Sequence, residues 1–262
     1  MDTPTIYDVS RLSGVSTATV SRAFTAPDRV REETRRKVLA AAEALGYQPS
    51  AIARAMARQQ TDKIAFLICK KDATILDEFY ASICEGVMRR ANSTSYQLLI
   101  STAADWQRTG QSKQIEGVIL AGDAEPSLIS SFQRQGVAVV LVNHRACGFE
   151  LPSVVADEQN GARQVIDHLT AYGHRRIALL AGRFSSYITS VRYNAFLTAM
   201  QEHGISVDDS GIVMCGRDVE SATQASVELL SRPERPTAVF AFNDVLAAGV
   251  IKGVGKQTAR RI

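Results

Sequence analysis

The sequence is short of the features that would mark an enzyme, a secreted protein or a membrane protein. It has four cysteines, Cys69, Cys84, Cys147 and Cys215. No two form a CxxC pair, and three sit in or beside apolar runs. That pattern suits buried thiols better than disulfides or a metal site. The N-terminus, MDTPTIYDVS, lacks the basic-then-apolar pattern of a signal peptide. No apolar run approaches the ~18 residues a membrane span needs, so no membrane partner is expected and the reading is a soluble cytoplasmic protein. There is no GxSxG, no GxxxxGK[ST], and no GxGxxG after a strand. His144, His168, His174 and His203 lack metal-ligand spacing. No catalytic residue, metal or cofactor is therefore expected.

What is present is ordinary in bulk and uneven in placement. A hydrophobic fraction of 45% and a charged fraction of 22% belong to a soluble globular chain. A length of 262 residues allows one sizeable core plus a small domain. Residues 1–60 hold nine Arg/Lys against six Asp/Glu, and so carry the whole excess of +3; residues 61–262 hold 21 of each sign. A basic head on a neutral body suits a phosphate-facing domain joined to one with another task.

The head reads as two short helices and a third that supports them. Thr5 can cap a helix beginning at Ile6, with Asp8 in its first turn, and Val9 and Leu12 fall on one face. Gly14 and Val15 make a tight turn. Ser16 caps a second helix whose buried face is Val20, Ala23 and Phe24. Such short helices are not stable alone. A third, over 32–45, repeats Thr34, Val38, Ala41 or Ala42, and Leu45 at helical spacing, and Gly46 stops it. The arrangement is that of a DNA-reading helix-turn-helix.

After a break at Pro49 and a polar stretch, Gln59-Gln60-Thr61-Asp62, the pattern changes. Strand candidates at 64–69, 96–100, 118–120, 137–142, 154–156, 177–181, around Val213, and at 238–242 alternate with helical stretches at 76–91, around Leu128 and Phe132, and at 161–172, 191–202 and 222–230. Near-continuous apolar strands separated by helices predict an α/β body with parallel sheets covered on both faces. No internal repeat is visible. The expected domains are 1–46 as headpiece, 47–60 as hinge and linker, and 61–262 as core.

Residues 5–58 resemble the headpiece of the lactose-repressor (LacI) family of bacterial transcription regulators. The similarity lies in Tyr7-Asp8-Val9, Gly14-Val15-Ser16, Thr19-Val20-Ser21-Arg22, Val30, Thr34-Arg35, Val38, Ala41-Ala42, Leu45-Gly46-Tyr47, Pro49 and Ala53-Arg54. The body is similar to that family's effector-sensing core, itself like periplasmic sugar-binding proteins. The matches are Asp157, Gly161-Ala162, His168-Leu169, Gly173-His174, Ile177-Ala178, Gly182, Arg192-Tyr193, Phe196, Pro236-Thr237-Ala238 and Asn243-Asp244 with Ala247 and Gly249.

The resemblance implies a second helix lying in the major groove with Thr17, Ala18 and Arg22 as base readers. Arg22 can take guanine bidentately, Thr17 can hydrogen-bond or meet a thymine methyl, and Ala18 can make only apolar contact. Ser16, Thr19, Ser21 and Thr34 are candidates for backbone phosphate, with Arg35 beside them. A hinge helix over 51–58 would place Ala53 and Met56 in the minor groove, with Met56 as a wedge between base pairs. The family pairs as a homodimer on double-stranded, pseudo-palindromic operator DNA. For a small, sugar-like effector, Asn160, Arg192 and Asn243 stand at positions similar to the family's contacts. Two of them have plainer alternatives, Arg192 as an ion-pair partner and Asn243 as a helix cap, and the nearby Asp157 is as readily structural.

Two departures accompany the resemblance. The stretch 101–116 leaves little room for a crossover, which predicts a stunted second helix in the first lobe. The family continues past the position of Ile262 with strands that close the pocket. Gly253, Gly255 and the basic end are poor helix continuation, so the helix begun at Asn243 is expected to fail there and the two-lobed core to be incomplete. Besides an effector-controlled repressor, the residues thus allow a remnant that keeps the DNA reader without effector response or stable dimerisation, and, more remotely, a sugar-handling enzyme or binding protein.

Overall fold

Local capping chemistry sets the first three helices. The computed structural model describes residues 4–47, 61–69, 78–109, 115–182 and 186–259. Helix α1 spans Ile6–Ser13 and is opened by Asp8, whose carboxylate accepts from both the Thr5 N–H and the Thr5 hydroxyl, at 2.9 and 2.6 Å. Those bonds, the hydroxyl's first, hold the Asp8 carboxyl below the ordinary aspartate value. Gly14, at φ +69°, ends α1, where a side chain would be strained. Helix α2 runs Thr17–Thr25 and α3 runs Glu32–Leu45, with a single 3₁₀ turn, Pro27–Arg29, between them. Gly46 (φ +65°) stops α3, and the Tyr47 N–H reaches back to Ala42 O at 2.8 Å.

The core of this head is small and aliphatic. Val9, Val20 and Val38 are fully buried with Ala23, Ala41 and Ala42, and Phe24 leans on Tyr47 at its edge. Leu12 departs from the periodicity: it is exposed, because one turn of α1 offers Val9, not Leu12, to α2 and α3.

Among the described residues the body contains two sheets. The first has five strands in the order β2-β1-β3-β4-β5. These are β1 (Lys63–Ile68), β2 (Gln97–Thr102), β3 (Gly117–Ala121), β4 (Ala138–Val142) and the short β5 (Ser153–Val154), the last two paired in parallel. Helices α4 (Glu78–Asn92), α5 (Ala103–Thr109) and α6 (Pro126–Arg134) connect the first four. Helix α5, where a stunted helix is expected, is described over seven residues, with the buried Trp106 against Phe132 at 6.4 Å; residues 110–114 after it lie outside the described residues. On α4 the buried residues are Tyr80 and Ala91, and Phe79 is half exposed with its ring edge-on to Tyr80. Phe79 shares a helical period with the part-buried Ile83 and Val87, yet Tyr80 takes the inner place at this end of the helix.

The second sheet has three parallel strands in the order β7-β6-β8. They are β6 (Ile177–Gly182), β7 (Ile212–Cys215) and β8 (Ala238–Ala241). Helix α7 (Glu158–Ala171) precedes them, and α8 (Tyr187–Glu202), α9 (Val219–Leu230) and α10 (Asp244–Ala259) follow one strand each. Leu179, Leu180, Ala181 and Phe196 are fully buried at its centre. Each sheet thus carries its first strand between its second and third. In such sheets the crevice outside the strand carboxyl ends, where the order reverses, is the place for a ligand.

Helix α10 overturns the expected break near Gly253. It continues as helix through Gly253 and Gly255 to Ala259. The reason is packing: a Cβ on Gly249 would lie 2.3 Å from the Ala222 Cβ, and one on Gly253 would lie 2.7 Å from the Ser226 Cβ. Two of the glycines that weaken the helix locally let it press against α9.

Candidate nucleic-acid interface and regulatory core

Helix α2 is held by its buried side and leaves the opposite side free. Val20 and Ala23 are buried, whereas Ala18 and Arg22, one turn apart, are exposed and Thr17 is half-buried at the first turn. The helix starts at Ser16, whose Oγ accepts the Thr19 N–H at 3.3 Å and lies 3.0 Å from the Thr19 hydroxyl. Ser16 and Thr19 therefore stand together at a helix N-terminus, where N–H groups and dipole favour an anion. Ser21 and Thr34 are half-buried, the latter in the first turn of α3.

Two further features of the head bear on this interface. Tyr7 on α1 is 68% exposed, and Arg11 stands one turn on, its guanidinium 3.6 Å from Asp8. Arg35 carries a buried Nε without a hydrogen-bond partner among the described residues, with its Nη1 3.6 Å from Glu32. The Nε is shielded from solvent, so the part of the guanidinium open to a phosphate oxygen is its Nη end. Ala53 and Met56 lie outside the described residues.

In the body, the three effector candidates separate. Arg192 on α8 donates from Nε and Nη2 to the two oxygens of Glu158, at 2.6 and 2.5 Å, and from Nη1 to the Phe242 carbonyl. Asn243 is next to Phe242, and its Oδ1 accepts the Leu246 N–H at 2.9 Å, capping α10. Arg192 and Asn243 are thus brought to the carboxyl end of β8. Asn160 lies apart, in an open cavity of about 230 Å³ between α7 and α8 with Asp157, Arg163, Thr198 and Glu202. Its side-chain oxygen accepts from Arg163 at 2.8 Å, and Asp157 caps α7 through the Asn160 N–H. Glu158, which no motif marked, is the group that faces Arg192.

A second convergence lies at the strand ends of both sheets. Asp123 follows β3, His144 follows β4 and Tyr187 opens α8. The Tyr187 N–H donates to Asp123 Oδ1 at 2.8 Å, His144 Nδ1 is 3.5 Å from the same oxygen, and the two rings meet edge-on at 5.5 Å. His144 is buried. Cys69, at the end of β1, is inert: burial, with the Asp123 charge added, pushes its thiol up to about 12.

Comparison with known proteins decides what this pairing of a helical head with an α/β body is. Residues 5–50 match the model for bacterial regulatory proteins of the lacI family. Residues 61–262 match that for periplasmic binding proteins and the sugar binding domain of the LacI family. The chain belongs to the LacI family. The family match runs to residue 262, through the glycines of α10.

Among its LacI-family relatives are catabolite control protein A of Priestia megaterium and the HTH-type transcriptional repressor CytR of Escherichia coli (strain K12). The first is 32% identical over 258 residues, covering 95% of this chain and 76% of the relative. The second is 32% identical over 261 residues, covering 97% and 75%. A solved complex of the transcriptional regulator CelR with cellobiose is 28% identical, covers 97% of this chain and 78% of that one, and superposes with a TM-score of 0.65. The Lac repressor dimer bound to operator, 23% identical with coverage of 98% and 79%, shares the fold at a TM-score of 0.79. The LacI-family chain described here is a DNA-binding transcriptional regulator, not an enzyme.

Proposed function

We propose that the protein is a cytoplasmic repressor that binds a pseudo-palindromic operator as a homodimer and responds to a small sugar-like effector. Residues 1–46 form the reader, 47–60 the hinge and linker, and 61–262 the effector-sensing core. The observation that carries this reading is the free face of α2, with Arg22 and Ala18 exposed opposite the buried Val20. On it, Thr17, Ala18 and Arg22 read base edges, and Ser16, Thr19, Ser21 and Thr34 meet backbone phosphates. Ala53 and Met56 take the minor groove at the centre of the site. An effector that prefers one arrangement of the core shifts DNA affinity by that difference in affinity.

A second reading is favoured by the core's own contacts. Arg192 is already paired with Glu158, and Asn243 already caps α10. A ligand must replace those contacts or use other groups, so a regulator blind to sugars is the alternative. The deciding experiment selects an operator from random duplexes and follows binding in gel shifts with a panel of sugars. Release or tightening by one sugar supports the first reading and constant affinity the second. If no duplex is selected, both fail.

A further inference from the structure

Glu116 stands immediately before β3, yet its carboxylate serves the start of β1. Its Oε1 accepts the Thr61 N–H at 2.5 Å and the Asp62 N–H at 2.9 Å, and its Oε2 accepts the Tyr96 hydroxyl at 3.0 Å. The same stretch is tied twice more through the backbone. The Gln97 N–H donates to Asp62 O at 2.7 Å, and the Glu116 N–H donates to Lys63 O at 2.9 Å. Asp62 stands at φ +51°, a left-handed conformation that aspartate tolerates better than most side chains. Partial burial pushes the Glu116 carboxyl up, but the Asp62 N–H, the Tyr96 hydroxyl and the Thr61 N–H together hold it below the ordinary glutamate value. The group is therefore charged at neutral pH, and its bonds are of the stronger, charge-assisted kind.

Thr61 is also where the core's family match begins, and every candidate DNA contact lies before it in the chain. We infer that Glu116, with Tyr96, is a positioning residue for operator binding. Its carboxylate fixes the point at which the chain enters the core, and so limits where the tethered head can sit. The inference rests on the reading of residues 1–46 as an operator-binding head. Two heads on one palindrome bind with an effective concentration set by how their tethers are held, whereas unspecific phosphate contact by single heads depends on it far less.

The test uses the full chain, a duplex that the wild type selects, and an unrelated duplex, with melting curves recorded alongside. Glu116→Ala is expected to weaken operator binding about tenfold, Glu116→Gln less, and Tyr96→Phe about twofold, with affinity for the unrelated duplex within about twofold of wild type. A folded Glu116→Ala protein with wild-type operator affinity overturns the inference, and so does an equal loss on both duplexes. Should Glu116→Ala fail to fold, Glu116→Gln, which keeps one acceptor oxygen, decides by the same comparison. If the wild type selects no operator, the reading of the head fails first, before any variant is compared, and the positioning role falls with it.

Discussion

Arg192 holds Glu158 in a two-pronged pair, Nε to Oε2 at 2.6 Å and Nη2 to Oε1 at 2.5 Å, and the glutamate is the more buried partner, at 10% side-chain exposure against 28%. Removing the arginine strands the carboxylate. Arg192→Ala is expected to cost ~2–3 kcal/mol, below the cost for a fully buried pair because the guanidinium reaches solvent. Removing both groups, as Arg192→Met with Glu158→Gln, should cost less than the single change. Urea titrations of the three proteins measure the difference, and a double variant no better than Arg192→Ala would contradict the account.

The glycines of α10 should respond in opposite directions. Gly249→Ala drives a methyl into Ala222 and is expected to destabilise the core by ~1–3 kcal/mol. Gly255 has nothing within 4 Å of a built Cβ, so Gly255→Ala should stabilise by ~0.5–1 kcal/mol through helix propensity alone. Thermal melting of the two variants reads both signs. The same sign for both would mean that α10 does not pack on α9 as described.

At the reader, Arg22→Ala should cost ~1–3 kcal/mol of discrimination at one base-pair position and leave the others unchanged. Thr34→Ala, at a phosphate candidate, should weaken binding alike on all sequences. Affinities over a set of single-base operator variants separate the two patterns. A uniform loss for Arg22→Ala would make it a phosphate contact.

The Glu116 cluster predicts a pH dependence with a definite sign. Its folded-state carboxyl lies below the ordinary 4.5, so its stabilisation is complete above that value and is lost as pH falls through the lower, folded value. The melting-temperature gap between wild type and Glu116→Gln should be constant near neutrality and narrow below about pH 4.5. A gap that stays the same into acid would show that the carboxylate charge contributes nothing there.

Thiol labelling should order the cysteines. Cys147 is exposed, whereas Cys69 is buried with its thiol held protonated. A maleimide at neutral pH is expected to modify Cys147 first and to reach Cys69 only on unfolding; early loss of the Cys69 thiol, seen by peptide mass mapping, would contradict its place beneath the strand ends.

Much of the fold was readable because it is local. Helix α3 occupies the stretch its apolar spacing marks, and Ser16 and Gly46 act as start and stop because their roles involve only near neighbours in the chain. The errors have one cause. Leu12 and Phe79 fit a helical period, but a period does not say which adjacent face the rest of the protein covers. Gly253 is a poor helix residue in isolation, and it is helical here because Ser226 of α9 lies against it.

The sequence by itself determined the head, with its caps, its turn and the side of α2 that is buried, since short-range hydrogen bonds and periodicity settle such elements. It also determined that the body is α/β, and the family to which the whole chain belongs. Tertiary structure alone decided which groups face each other at the strand ends. Glu158 meets Arg192 across 34 residues and Glu116 meets Thr61 across 55. Neither carboxylate has a local pattern to announce it. Their partners follow from strand order, which brings distant segments to one edge, and from burial, which leaves a charged group no alternative to the partner it finds there.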